Sequence, residues 1–249
     1  MIEVKNISKS FADNHVLKDI SLTFKRGETN LIIGQSGSGK TVLLKSILGI
    51  HQIDKGQIIY GNEVYSEMNN KEKQKIREQI GMVFQGGALF DSATVFENVI
   101  FPLQMFSNMT KKEMEKQAHF CLERVNLNNS DDLFPGEISG GMQKRVAIAR
   151  AIVLNPKYLF FDEPNSGLDP KTSIVIDNLI KDLTIEFNTV TVINTHDMNS
   201  VVEIGDNIAF IHKGQKWWTG NSEEILKADN KELNDFVFAT KLMRSIKKQ

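Results

Sequence analysis

The chain has 249 residues, 41% hydrophobic and 24% charged, and its 30 basic residues nearly balance 31 acidic ones for a net charge of −1. That composition suits one large α/β domain, or a core with a sizeable insert, and creates no global field that would draw the protein to nucleic acid or anionic lipid. No run approaches the ~18 apolar residues that span a bilayer, residues 1–5 open directly into a strand pattern with no signal peptide expected, and the single Cys121 cannot form an internal disulfide, as expected of a reducing compartment.

Ile2-Glu3-Val4 and residues 20–24 are rich in strand formers, with turn signals at Asp13-Asn14 and Arg26-Gly27. Leu31-Ile32-Ile33 reads as a buried strand. It runs into Gly34-Gln35-Ser36-Gly37-Ser38-Gly39-Lys40-Thr41, which fits the phosphate-loop pattern G-x-x-x-x-G-K-[ST]. Gly34, Gly37 and Gly39 lack Cβ atoms, so successive backbone N–H groups can turn inward around an anionic phosphate. Lys40 supplies a cation for the β- and γ-phosphates, and the Thr41 hydroxyl is placed to ligate Mg²⁺. Residues 41–48 follow as a helix whose positive N-terminus faces the nucleotide.

After Lys55-Gly56 the pattern predicts a strand over 57–60, a polar helix over 71–79 and a strand over 80–84. From Gly86 to about Asn155 it turns mainly helical. Met114, Ala118, Cys121, Leu122 and Val125 share one face of a helix beginning at Thr110, so Cys121 reads as packing rather than as a nucleophile. A second helix follows Ser139-Gly140-Gly141 and carries Met142, Val146, Ala149, Ile152 and Val153. The block reads as a helical insert in an α/β core.

The apolar run 158–161 ends in Asp162-Glu163, at the carboxyl end of a strand, where ligands bind in open α/β sheets. Asp162 is expected to hold Mg²⁺ through water beside Thr41. Strand alternation predicts that Glu163 points the other way, where it suits orienting or deprotonating a water that attacks the γ-phosphate. A helix over 171–187 precedes a strand over 190–194 and then Thr195-His196-Asp197. His196 could donate a hydrogen bond to a γ-phosphate oxygen, or simply end the strand. Residues 208–212 and 215–219 form a hairpin around Lys213-Gly214. The last ~30 residues look helical and end in the basic residues Lys241, Arg244, Lys247 and Lys248, a solvated tail. Strands alternating with helices argue for a mainly parallel sheet.

These pieces, in this order, resemble the nucleotide-binding domain of an ATP-binding cassette (ABC) ATPase over nearly the whole chain. Ile138-Ser139-Gly140-Gly141-Met142 looks like that family's signature motif. The resemblance implies an α/β phosphate-loop (RecA-like) core with a mainly parallel sheet, an N-terminal antiparallel β subdomain and a helical insert. It implies a single domain over 1–249, with core and β subdomain in 1–85 and 156–222, the insert in 86–155 and a helical tail in 223–249. ATP and Mg²⁺ are the implied cofactors. Two copies would pair head to tail, so that Ser139, Gly140 and Gly141 meet the γ-phosphate held by the other copy. Gln85 matches the glutamine that ligates Mg²⁺ and reports nucleotide state, Phe11 the aromatic that stacks on adenine, Asp169 the interface loop, Glu163 the catalytic base and His196 the switch histidine. Met142 stands where the signature usually has glutamine, with Gln143 after it.

Phe84-Gln85-Gly86-Gly87-Ala88-Leu89-Phe90-Asp91, continuing through Val95–Val99 to Phe101-Pro102-Leu103, is similar to the ATPases of bacterial phospholipid and sterol transporters that work with MCE-domain proteins, of the maintenance-of-lipid-asymmetry (Mla) type. That similarity implies a lipid-transport ATPase at the cytoplasmic face of the inner membrane. Its partners would be a second copy, an integral membrane permease and an MCE-domain substrate-binding protein, with no nucleic acid. An importer ATPase for amino acids or other small solutes is the alternative. A non-transport ABC ATPase acting on DNA or ribosomes is more remote, because the chain shows no heptad array, tandem domain or basic surface.

Overall fold

The computed structural model describes residues 1–239, so Lys241, Arg244, Lys247, Lys248 and the end of the helical tail expected over 223–249 lie outside the described residues. The chain divides into two units: Met1–Lys73 together with the segment from Val190 onward, and Gln74–Thr189.

The first unit opens with a hairpin of β1 (Ile2–Phe11) and β2 (Asn14–Phe24). Both strands run well beyond the segments legible in the sequence. Register shifts after Val4 and Ile7, with left-handed backbone at Asn6 (φ 51°) and Asp19 (φ 55°), break the period-two pattern, as β-bulges do. β3 (Thr29–Ile33) is buried along its whole length and leads through residues 34–39 into α1 (Lys40–Ile47). β4 (Lys55–Tyr60) pairs antiparallel with β1, and the short β5 (Glu63–Val64) with β4, giving an antiparallel sheet of order β2-β1-β4-β5. Two buried tyrosines from this region tie down the end of α1. The Tyr60 hydroxyl donates to the Ile47 carbonyl at 2.9 Å and the Tyr65 hydroxyl to the Leu48 carbonyl at 3.0 Å, satisfying acceptors that a helix end leaves open.

The chain passes into the second unit through α2 (Asn70–Arg77). There β6 (Ile80–Val83) is followed by α3 (Val95–Phe106), α4 (Lys111–Arg124) and α5 (Gly140–Ile152), and then by β7 (Tyr158–Asp162), parallel to β6, and α6 (Pro170–Glu186). Thr94 with Glu97 and Thr110 with Glu113 form capping boxes that set where α3 and α4 begin. Cys121 is buried in α4, and desolvation pushes its thiol up to about 12.

Back in the first unit, β8 (Val190–Asn194), α7 (Met198–Ile204), β9 (Asn207–His212) and β10 (Gln215–Gly220) precede the short α8 (Glu224–Lys227) and α9 (Lys231–Val237). β3 lies between β8 and β9 and is parallel to both, while β10 returns antiparallel along β9. The β9–β10 turn places Lys213 (φ 50°) and Gly214 (φ 77°) in left-handed conformations, as a two-residue hairpin requires. Register matters here: Ile32 of β3 stands opposite Asn194 of β8, so both strands deliver their carboxyl ends to one edge. The expected antiparallel subdomain and mainly parallel core are both present. α7 was not legible beforehand; its seven residues start where the Asp197 side chain accepts from Asn199 N–H.

Candidate functional site

Each unit carries its own share of the expected site residues. In the first unit, Gly34 (φ 149°), Gly37 (φ 78°) and Gly39 (φ 105°) all lie in backbone regions that L side chains avoid. Gly34 is also confined in space, because a Cβ there would collide with the Ile211 carbonyl oxygen of β9. Gln35, Ser36 and Gly37 face solvent, while Ser38, Gly39 and Lys40 are buried. The loop is braced from behind by the β9–β10 turn: Gly214 N–H donates to the Ser38 carbonyl at 3.0 Å, and the Gly214 carbonyl accepts from Lys18 N–H at 2.8 Å. A Cβ at Gly214 would collide with the Val16 carbonyl.

Lys40 is 7% exposed, and its ammonium donates to the Gly34 carbonyl at 2.8 Å and the Gln35 carbonyl at 3.2 Å. The cation thus sits inside the loop it would share with a phosphate. Ser38 Oγ is buried with no hydrogen-bond partner among the described residues, a polar atom suited to an incoming phosphate oxygen. Thr41 follows in the first turn of α1, and its Oγ1 accepts from Asn194 Nδ2 at 3.3 Å. Asn194 is 0% exposed, an amide placed at the end of an otherwise apolar strand. His196 is exposed two residues later. Phe11, at the tip of β1, is 43% exposed; its ring meets His51 edge-on at 5.2 Å and the Lys9 ammonium at 5.2 Å. A large exposed ring with a neighbouring cation is the surface an aromatic base can stack on.

In the second unit, β7 ends at Asp162, and both Asp162 and Glu163 are half-buried. The expectation from alternation does not carry to Glu163. It lies beyond the strand with φ 51°, so a left-handed turn rather than the pleat sets its direction. The following turn is closed by Ser166 N–H to the Glu163 carbonyl at 3.1 Å, and Gln85 Nε2 donates to Ser166 Oγ at 3.2 Å. Gln85 and the loop after Glu163 are thereby brought together. Asp169 caps α6: its carboxylate accepts from Lys171 and Thr172 N–H at 3.0 Å each and from the Thr172 hydroxyl at 2.5 Å. The Thr172 hydroxyl, and then its backbone N–H, hold the Asp169 carboxyl below its ordinary value.

The Ser-Gly-Gly segment differs slightly from the expectation. α5 begins at Gly140, so both glycines lie inside its first turn, with Ser139 as the cap accepting from Met142 N–H at 3.3 Å. Ser139 and Gly140 are exposed, whereas Gly141 is buried and a Cβ there would lie 2.7 Å from Thr172 Cγ2. A Cβ at 141 would therefore force the Thr172 side chain of α6 to shift. Met142 replaces a polar residue without loss of the cap, and Gln143 ties the helix start to what precedes it, donating to the Pro135 carbonyl at 2.8 Å.

Among the described residues no group of three or more His, Cys, Asp or Glu side chains is arranged to hold a metal. The donor types do suit Mg²⁺, which takes one or two carboxylates and completes its shell with water and substrate phosphates.

A match to the family described as ABC transporter covers residues 17–166, more than half of the chain. The probable ribonucleotide transport ATP-binding protein mkl of Mycobacterium leprae is 35% identical over 236 residues, 95% of this chain and 68% of that protein. The methionine import ATP-binding protein MetN of Clostridium tetani is 37% identical over 243 residues, 98% of this chain and 76% of that protein. The chain spans 66% of the mkl protein of Mycobacterium tuberculosis. Among solved structures, the dimeric bacterial ABC transporter cassette MJ0796 superposes with a TM-score of 0.81 at 34% identity, covering 89% of this chain and 99% of that one. The cbiO1 protein of Clostridium perfringens, part of the ABC transporter complex cbiONQ, superposes with a TM-score of 0.86 at 30% identity, covering 98% of both chains. Sequence and fold agree over nearly all of its length: the chain belongs to the ABC transporter family, as an ATPase domain.

Proposed function

We propose that the chain hydrolyses ATP as a head-to-tail pair of copies, and that the closing and opening of this pair drives a separate membrane permease. The carrying observation is the exposed Ser139-Gly140 start of α5, a helix N-terminus with hydroxyl and amide donors that suits a γ-phosphate brought by a second copy. The resemblance to MJ0796, solved as a dimer and also in a post-hydrolysis state with ADP and Pi, supports this reading.

In this reading residues 34–41 hold the phosphates, and Lys40 exchanges the Gly34 and Gln35 carbonyls for phosphate oxygens. Phe11 stacks on adenine. Glu163 activates the attacking water, an effect worth about 10²–10⁴ in rate, while His196 donates to the γ-phosphate and Asp169 lies at the interface of the pair. Thr41, Gln85 and Asp162 are the residues that would hold Mg²⁺, which neutralises charge developing on the transferred phosphoryl group.

No helix among the described residues is long and apolar enough to cross a membrane, and in this reading a separate permease does the membrane work. The proposed docking surface flanks Gln85: Phe84, Phe90 and Phe101 are exposed, and the last two meet edge-on at 5.0 Å. There a permease would hold the protein at the cytoplasmic face. The cargo we propose is phospholipid or a related lipid, in a system with an MCE-domain protein, on the strength of residues 84–103. The 37% identity to a methionine importer favours a second reading, import of a small solute. Purification with the products of neighbouring genes separates them. Bound phospholipid and ATP-dependent movement of labelled lipid are expected; co-purification of an amino-acid-binding protein without lipid would sink the lipid assignment and leave the transport ATPase standing.

A further inference from the structure

The loop over residues 84–94, between β6 and α3, has no helix or strand, yet its backbone is held by three side chains. Lys144 of α5 donates to the Gln85 carbonyl. Arg150, also of α5, donates to the Gly87 carbonyl at 2.7 Å and the Ala88 carbonyl at 2.9 Å, with its guanidinium 5.7 Å from the Phe90 ring centre. Asn98 of α3 is 0% exposed. It accepts from Phe90 N–H at 2.8 Å and donates to the carbonyls of Phe90, Ala93 and Thr94 at 3.1, 3.1 and 3.0 Å. Arg150 Nη1 lies 3.5 Å from Asn98 Oδ1, which joins the two halves of the network.

This arrangement is costly to build. Lys144 is 7% exposed, and burial lowers the proton affinity of both Lys144 and Arg150. Both cations nevertheless face carbonyls of one loop. That loop holds Gly87 at φ 74° and Ala88 at φ 49°, a conformation that a residue with a Cβ adopts only when its surroundings impose it. Lys144 and Arg150 are six residues apart, about 9 Å along the helix axis. Two anchors at that separation fix the direction of the helix relative to the loop as well as its distance.

We propose that Lys144, Arg150 and Asn98 are positioning residues that lock loop 84–94 to the helix headed by Ser139, so that loop and helix head move as one body. The meaning of that motion rests on the functional reading above. A displacement of Gln85 at one nucleotide would reach Ser139 at the other, and with it the exposed Phe84 and Phe90.

Hydrogen exchange and ATP-dependent pairing test the lock in the full chain. Arg150→Met is expected to speed exchange of the Gly87 and Phe90 amides about tenfold, and to speed that of Met142, whose N–H bonds Ser139, by a smaller factor. In a Glu163→Gln background it should raise the ATP concentration for half-maximal pairing about fivefold, while monomer affinity for ATP stays within about twofold. Lys144→Met should act in the same direction, and Arg150→Lys, which keeps a donor, should recover part of the effect. Unchanged exchange in the loop would overturn the lock. So would faster loop exchange with unchanged Met142 exchange and pairing, or effects that merely follow a global loss of stability in both variants. If Glu163→Gln itself fails to pair with ATP, the functional reading falls instead, and Met142 exchange alone decides the lock.

Discussion

Gly141 offers a sharp separation of packing from ligand contact. A Cβ at position 141 would lie 2.7 Å from Thr172 Cγ2, roughly 1 Å inside ordinary carbon–carbon contact. Overpacking of this kind costs about 1–3 kcal/mol, against which replacing a helical glycine by alanine returns up to about 1 kcal/mol. Gly141→Ala is therefore expected to lose up to about 2 kcal/mol net. For a domain of this size that is up to about 8 °C in thermal midpoint. Gly140→Ala is the internal control, because its Cβ would meet only Leu168 Cδ2, at an ordinary 3.8 Å; its midpoint should hold or rise. Thr172→Ser deletes the obstructing methyl and keeps the hydroxyl that bonds Asp169. In the double variant Gly141→Ala with Thr172→Ser, most of the loss should return, a coupling readable from a double-mutant cycle by urea unfolding. If Gly141→Ala proved as stable as Gly140→Ala, or if Thr172→Ser gave no rescue, the packing account would be wrong. Should the account hold, lost activity in a Gly141 variant says little about phosphate contact, and Ser139 and Gly140 become the informative probes.

Glu163→Gln should keep nucleotide affinity, lose about 10² or more in turnover and trap the paired state on gel filtration with ATP; hydrolysis at the parent rate would remove Glu163 from its assigned role. Ser139→Arg should leave ATP binding by the monomer near the parent value yet abolish cooperative hydrolysis, with about 1 kcal/mol lost from the helix cap; a loss of monomer affinity as severe as in Lys40→Ala would count against action on a second copy's nucleotide. Asp169 has a lowered folded-state pKa, so its stabilisation is present above the unfolded-state value and fades as pH falls through the folded one. The stability gap between parent and Asp169→Ala should thus be widest near neutrality and close below about pH 4, and a gap constant with pH would refute the capping account. With its thiol raised to about 12 by burial, Cys121 should resist thiol reagents at neutral pH until the protein unfolds; prompt stoichiometric labelling of the native chain would contradict this.

What could be read in advance was whatever local chemistry enforces. The phosphate loop was legible because several glycines, a lysine and a threonine must fall at set spacings, and the capped starts of α4 and α5 because Thr110 and Ser139 announce them. β1 and β2 were only partly legible, since bulges at Asn6 and Asp19 interrupt the alternation. Glu163 was misdirected by extending a pleat past the end of its strand. Lys144 and Arg150 escaped notice because their partners are backbone carbonyls far away in sequence. Thr172 did so because its methyl faces a glycine of a different helix, and Asn98 because the backbone it holds belongs to a loop with no periodic pattern. Only Asn194 left a local trace, an amide ending an apolar run, and nothing nearby in sequence named Thr41 as its partner.

The brace behind the phosphate loop has a consequence in time. Ser38 and Gly34 are made early in synthesis, whereas Gly214 and Ile211, against which they rest, follow about 175 residues later. At common translation speeds that interval is roughly 10–35 s. Until the β9–β10 hairpin emerges, the glycine-rich segment has no backstop for its shape, and nascent chains halted before residue 207 should not retain ATP. Nucleotide competence therefore arrives only once the β9–β10 hairpin is made, after every proposed site residue from Phe11 to His196 already exists.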